Sequence, residues 1–258
     1  MKVSVGVDGC KAGWFYFRAQ ADGISHGLAP DFDALAQTLP QCSRLMVDMP
    51  IGLVDDAADG RRCDREARRL LGRGRSSSVF SPPCRPVLAA SDYDEARRVS
   101  RRAIGKMLSK QAFLITPRIS EVDRFLRIGR RDLVVREAHP EVCFWALNQR
   151  QPMAQRKKDK AGFDQRLAVL QQYLQDADQL VESALRAYRR KQVAADDILD
   201  ALVLLLVAST SDDALQTLPA APEVDARGLP MEIVYTDCPD WGALEHVLQT
   251  QHKGDTLE

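Results

Sequence analysis

The sequence lacks any run of about 18 apolar residues, the minimum for a helix that crosses a bilayer. Its longest candidate, ALVLLLVA at 201–208, is short and follows three acids. No membrane-spanning segment is expected. The opening MKVSVGVD has neither an apolar signal core nor a cleavage site, which points to the cytoplasm. The six cysteines (Cys10, Cys42, Cys63, Cys84, Cys143, Cys238) form no CxxC or Cys/His spacing. That excludes a zinc ribbon and a disulfide framework as the organising device, and the thiols read as small buried hydrophobes. Internal repeats are missing, as are the GxxxxGK[ST] and GxGxxG loops that cradle nucleotide phosphates at strand-helix junctions. Net charge is absent too, with 36 Lys+Arg against 36 Asp+Glu.

What is present is a charge split that the zero net charge hides. Residues 61–131 hold 19 Lys+Arg against 7 Asp+Glu, so the remainder holds 17 against 29. A basic stretch beside an acidic remainder suits an anionic polymer, because Arg and Lys neutralise backbone phosphates and release counterions. The same arginines, in runs such as RRCDREARRLLGR at 61–73, also fit a solvated helix face. With 258 residues, 45% hydrophobic and 28% charged, the chain reads as one globular domain.

Hydrophobic periodicity sets out the scaffold. Strands are expected at 2–8, 14–19 and 23–29, turning at Gly9–Gly13 and at Asp22-Gly23. A helix is expected at 31–40 and a fourth strand at 44–50. Helices at 61–73 and 92–108, a proline-broken loop at 76–87 and a helix beginning near 120 form a basic insertion spanning about 54–131. Strand character resumes at 132–142, followed by helices at 161–174, 177–190 and 194–210, the last apolar nearly all round. Residues 231–237 read as an edge strand or irregular tail. The order β-β-β-α-β, insertion, β-α indicates an α/β layered domain with a five-stranded mixed sheet.

Acids sit where these elements end. Asp8 closes the first strand, Asp48 the fourth and Glu137 the resumed one, while Asp196, Asp197 and Asp200 open the apolar helix. At helical spacing Asp197 and Asp200, and likewise Asp196 and Asp200, share a face, where like charges repel. The helix dipole offsets part of that cost and a divalent cation offsets more. Carboxylates without His or Cys partners suit Mg²⁺ or Mn²⁺. Each acid also has an ordinary reading: Asp8 in an Asp-Gly turn, Asp48 satisfying nearby backbone, Glu137 and His139 as polar residues at a strand exit, Asp196 as an N-cap. Asp200 resists that reading, because an unpaired carboxylate inside DILDALVLLL is expensive.

The segments VDGCKAGW (7–14), VDMPIGL (47–53), RRCDREARRLLGRGRSSSVFSPPCRP (61–86), SEVD (120–123), REAHPEVCFWAL (136–147) and DDILDAL (196–202) together resemble the domain of unknown function family 429. That family is usually described as a predicted nuclease with a ribonuclease H-like fold. The resemblance runs from residue 3 to about 210 and leaves the tail, about 211–258, without a motif. It implies a three-layer fold with helices on both faces of the sheet and an acidic site where the first and fourth strands meet the final helix. It also implies a likeness to Holliday-junction resolvases, whose last helix presents two aspartates three residues apart, as Asp197 and Asp200 are. On that reading Asp8, Asp48, Asp197 and Asp200 hold two Mg²⁺ or Mn²⁺ ions for phosphodiester hydrolysis, with Glu137 at the rim as a further ligand or water orienter. His139 either shuttles a proton or is a satisfied structural histidine. Arg75, Arg85, Lys106 and Lys110 hold nucleic-acid phosphates, joined by the hydroxyls of Ser76, Ser77 and Ser78. Two alternatives stay open: an actin-like or sugar-kinase-type phosphotransferase using the Asp8-Gly9 turn, and a non-catalytic nucleic-acid-binding module.

Overall fold

The computed structural model describes residues 3–41 and 43–239. Cys42 and the end of the C-terminal tail, 240–258, lie outside the described residues. Three strands, β1 (Ser4–Cys10), β2 (Gly13–Gln20) and β3 (Gly23–Ala29), form an antiparallel meander, and α1 (Phe32–Gln37) leads into β4 (Arg44–Val47). Beyond a long excursion comes β5 (Val134–Glu137), and the sheet order is β3-β2-β1-β4-β5. Both β4 and β5 run parallel to β1, so their carboxyl ends open on one edge with that of β1.

Alternation along β1 divides the core in two. Val5 and Val7 point into a cluster with Trp14, Phe32 and Leu45, while Gly6 lies under α8 (Ala195–Ser209) on the other face. The contact at Gly6 is close: a Cβ there would lie 2.1 Å from the Leu205 backbone nitrogen and 2.2 Å from the Ala201 carbonyl oxygen. Only glycine permits that approach, and it seats α8 directly on β1. From Ile198 to Ser209 every residue of α8 is buried, as an all-round apolar helix requires. Also on this side are α5 (Pro140–Leu147), α6 (Lys160–Gln171) and α7 (Ala177–Ala187).

The basic excursion contains α2 (Arg62–Arg75), α3 (Tyr93–Ile104) and α4 (Lys110–Ile128). Only part of it is peripheral. Ile119, Val122 and Phe125 of α4 pack on the Val5 and Val7 face, and Trp14 Nε1 donates to Glu121 Oε2 at 2.8 Å, so α4 is a layer of the fold. The helix expected to begin near 120 starts ten residues earlier, at Lys110. It runs through Pro117 from a Ser109 cap, whose Oγ accepts the Ala112 N–H, and its buried face outweighs the one lost backbone bond. The expected strand at 132–142 is shorter, ending at Glu137, and α5 starts at once with Pro140 in its first turn. Residues after 211 include a hairpin, β6 (Gln216–Val224) with β7 (Pro230–Tyr235), which forms a separate two-stranded sheet. It is tied to the body by Arg136, whose guanidinium donates to Glu232 at 2.8 and 2.9 Å, and by the Arg85–Asp225 ion pair. No helix of the described residues is long and apolar enough to cross a membrane.

Candidate metal centre

Strand register brings the first two acids together. Val7 and Val47 are partners across the parallel β1–β4 pair, and the Asp48 N–H donates to the Val7 carbonyl at 3.0 Å, so Asp8 and Asp48 leave the sheet side by side. Asp8 follows Gly6 and Asp48 follows Met46 on the face covered by α8. Asp200, one turn into that helix, completes the group: Asp8, Asp48 and Asp200 each offer an oxygen within 4.8 Å of the others. Asp8 is 7% exposed and Asp200 2%, with Asp48 half-buried.

The carboxylates of Asp8 and Asp48 accept no hydrogen bond from the described residues. Burial is the main force raising the Asp8 carboxyl well above the usual range, and the charges of Asp48, Asp200 and Asp197 add to it. Burial likewise raises Asp48, with Asp200 adding and His139 opposing. Asp200 is raised by burial against the pull of Lys157, whose Nζ donates to its Oδ2 at 2.9 Å and lies 3.4 Å from Asp196 Oδ2. Lys157 itself is pushed up, first by the charge of Asp200. A buried carboxylate with no donor, facing two others, is costly unless something positive satisfies it. An oxygen-only donor set of this kind fits a hard divalent cation such as Mg²⁺ or Mn²⁺.

Other candidate residues are placed differently. Asp197 is near enough to perturb Asp8, but its Oδ2 accepts the Ala194 N–H at 2.8 Å and caps α8. Burial pushes its carboxyl up to about 6. Glu137 pairs in register with Val47, one residue out of step with Asp48, and lines the same narrow cleft as Asp48 and His139. There it is held by Arg61 at 2.6 and 2.7 Å and by the Ile51 N–H at 2.6 Å, and burial, opposed by Arg61, pushes it up to about 7. Both of its oxygens already accept hydrogen bonds, which makes it a structural partner of Arg61. His139 is closer to the centre and shares a narrow cleft with Asp48, Pro50 and Phe80. Its Nδ1 accepts the Glu141 N–H at 3.2 Å, which leaves Nε2 to donate toward the Ser78 carbonyl at 3.3 Å, so the ring caps α5.

Among the basic candidates, Arg85 is spent on Asp123 and Asp225, and Arg75 donates to the Met153 carbonyl at 2.6 Å. Arg85 has both terminal nitrogens paired, while Arg75 uses only Nε and lines an open cleft. Lys106 and Lys110 are exposed at the turn from α3 to α4. The serines form one 3₁₀ turn, with Ser78 Oγ donating to the Arg75 carbonyl at 2.6 Å. Nor does the Gly9–Gly13 turn form a phosphate cradle: the Cys10 carbonyl accepts from Arg118 and the Ala12 N–H donates to the Gln192 carbonyl.

Sequence reasoning missed Lys157 and the segment that carries it. In QRKKDKAG (155–162) it reads as one cation of a solvated loop, and no spacing marks which lysine turns inward. Two clefts flank this segment. One of about 830 Å³ is lined by Lys157, Lys158, Lys160, Phe163, Tyr188, Arg190 and the first turn of α8. The other, about 460 Å³, is lined by Arg73, Arg75, Arg156 and Met153, with no acid.

Comparison with curated proteins and with solved structures finds no match. Residues 6–224, from β1 to the end of β6, match the family described as protein of unknown function (DUF429), and the chain belongs to that family.

Proposed function

We propose that the chain is a divalent-cation-dependent nuclease that hydrolyses phosphodiester bonds at the Asp8, Asp48 and Asp200 centre. The observation that carries the reading is the convergence of these three carboxylates within 4.8 Å, with Asp8 buried and without a donor, at the edge where parallel strands end. The sheet order β3-β2-β1-β4-β5, with only β2 antiparallel, agrees with the ribonuclease H-like fold implied by the resemblance. A divalent cation held there supplies Lewis-acid activation of the phosphate ester and neutralises charge that develops on its oxygens.

The chain's own residues supply the rest. Gly6 seats α8 on β1 and so brings Asp200 to Asp8. Asp197, by capping α8, holds its first turn open toward the 830 Å³ cleft. Arg73, Arg75, Arg156, Lys158 and Arg190 line the two clefts beside the Lys157 segment, and they take the phosphate-holding role, with Arg85 excluded by its two ion pairs. Phe163 and Tyr188 offer ring faces to an unpaired base.

Single-stranded DNA, duplex, RNA, hybrid and branched oligonucleotides incubated with Mn²⁺ test the reading. Wild-type protein is expected to cut at least one class and Asp8→Asn none. A protein that binds Mn²⁺ yet cuts nothing would be a binding module, and the nuclease reading would be wrong.

A further inference from the structure

The two-ion arrangement expected from sequence places Asp8, Asp48 and Asp200 or Asp197 around the ions, and the fold brings Asp8, Asp48 and Asp200 together. Asp197 Oδ2 accepts the Ala194 N–H, and both Glu137 oxygens accept from Arg61. In the remaining direction stands a cation of the chain itself, with Lys157 Nζ 2.9 Å from Asp200 Oδ2 and 3.4 Å from Asp196 Oδ2.

Its position is built into the fold. Arg166, 1% exposed, donates to the carbonyls of Gln155 and Gly162 at 3.2 Å each and to Glu141 Oε2 at 2.7 Å, fastening both ends of the lysine segment to α5. Gln165 Oε1 accepts the Gln155 N–H at 2.9 Å. A Cβ on Gly162 would lie 1.7 Å from the Arg156 carbonyl oxygen, so the segment folds back where only glycine fits.

We propose that Lys157 is the resident second positive charge of this centre, and that the three carboxylates therefore bind one divalent cation. This rests on the reading of the acids as a metal centre. Placement supports it: Lys157 lies within ion-pair distance of both Asp200 and Asp196, so it already offsets negative charge at the α8 edge of the centre. The ammonium also occupies an Asp200 oxygen that a second ion would need. Lys157 is here a positioning residue, holding Asp200.

Titration of the full chain with Mn²⁺, followed by calorimetry and by electron paramagnetic resonance of the free ion, tests this without any substrate. Wild type is expected to bind one Mn²⁺ per chain and Lys157→Arg the same. Lys157→Met is expected to bind the first ion about tenfold more tightly or to take up two, since a like charge has gone. Circular dichroism melts confirm that each variant is folded. Two ions bound by wild type, no ion bound by any variant, or a Lys157→Met titration identical to wild type would overturn the inference. The oligonucleotide panel fails separately: one Mn²⁺ bound with no cleavage removes the nuclease reading and leaves Lys157 its role.

Discussion

Two buried charge clusters meet at the ends of β4 and β5, where Arg61, Asp64 and Glu137 of one line a narrow cleft with Asp48 of the other. In the first, Arg61, Asp64 and Glu137 are 2%, 3% and 4% exposed, and every carboxylate oxygen there has a donor. In the second, Asp8 and Asp200 are just as deep, but Asp8 and Asp48 have no donor among the described residues, and Lys157 is the one cation on Asp200. Burial alone therefore does not distinguish a structural cluster from a chemical one; satisfaction does. In a network such as Arg61–Glu137 the buried charges already satisfy one another, so no bound cation is needed to offset them. The open aspartates carry a cost that a bound cation would remove.

The contrast can be broken most sharply by removing one charge from each cluster. Asp8→Asn is expected to reduce Mn²⁺-dependent cleavage to background while leaving thermal stability equal or higher, because it relieves like-charge repulsion in a buried site. Arg61→Met should do the reverse. It strands two buried carboxylates and is expected to cost about 3 to 5 kcal/mol in urea unfolding, with Mn²⁺ affinity in the surviving folded fraction little changed. If Arg61→Met were benign and Asp8→Asn unfolded the chain, the assignment of the two clusters would be inverted.

The open cluster also sets a pH dependence. Its carboxyls titrate higher in the folded chain than unfolded, so their contribution to stability is full below about pH 4 and lost as pH rises through the folded values. Asp197 completes its part near 6, and Asp8, Asp48 and Asp200 contribute losses of the same sign. Ion-free protein should therefore melt at a lower temperature at pH 8 than at pH 5. A Mn²⁺ concentration about 100-fold above its Kd at pH 8 should return about 2.7 kcal/mol there, and the same concentration should return less at pH 5. A Mn²⁺ effect independent of pH would show that the ion binds elsewhere. The smallest effect concerns the clefts. Lys158→Ala with Arg190→Ala is expected to weaken binding of a single-stranded oligonucleotide about tenfold and to flatten its salt dependence, measured by fluorescence anisotropy. The control pair Lys106→Ala with Lys110→Ala should change it less; equal effects would move the strand back to the α3–α4 turn.

Much of the centre is legible in one dimension because the relevant signals are local. Asp8 and Asp48 end apolar strands, and Asp200 interrupts an apolar helix, where a carboxylate is conspicuous. Glu137 has the same local signature and belongs to the other cluster. What separates it from Asp48 is register: Val47 and Glu137 are paired across β4 and β5, which puts Glu137 one residue out of step with Asp48. Register is a property of two strands separated by some 90 residues of intervening chain, so neither strand reveals it alone.

The charge count behaved similarly. The excess of arginine at 61–131 is real, but Arg85 finds Asp225, Arg75 approaches Glu141 and Arg61 holds Glu137, partners far along the chain that composition cannot pair. From its sequence alone the chain determined the order of its main elements, the glycine turn after Asp8 and which aspartates stand at element ends, because backbone propensity and side-chain periodicity act over a few residues. Tertiary structure decided which acids meet, which arginines are spent, and that Lys157 enters the centre. Those outcomes depend on strand register, on the close approach at Gly6 and on Arg166 fastening a loop, each of which joins residues that only folding brings into contact.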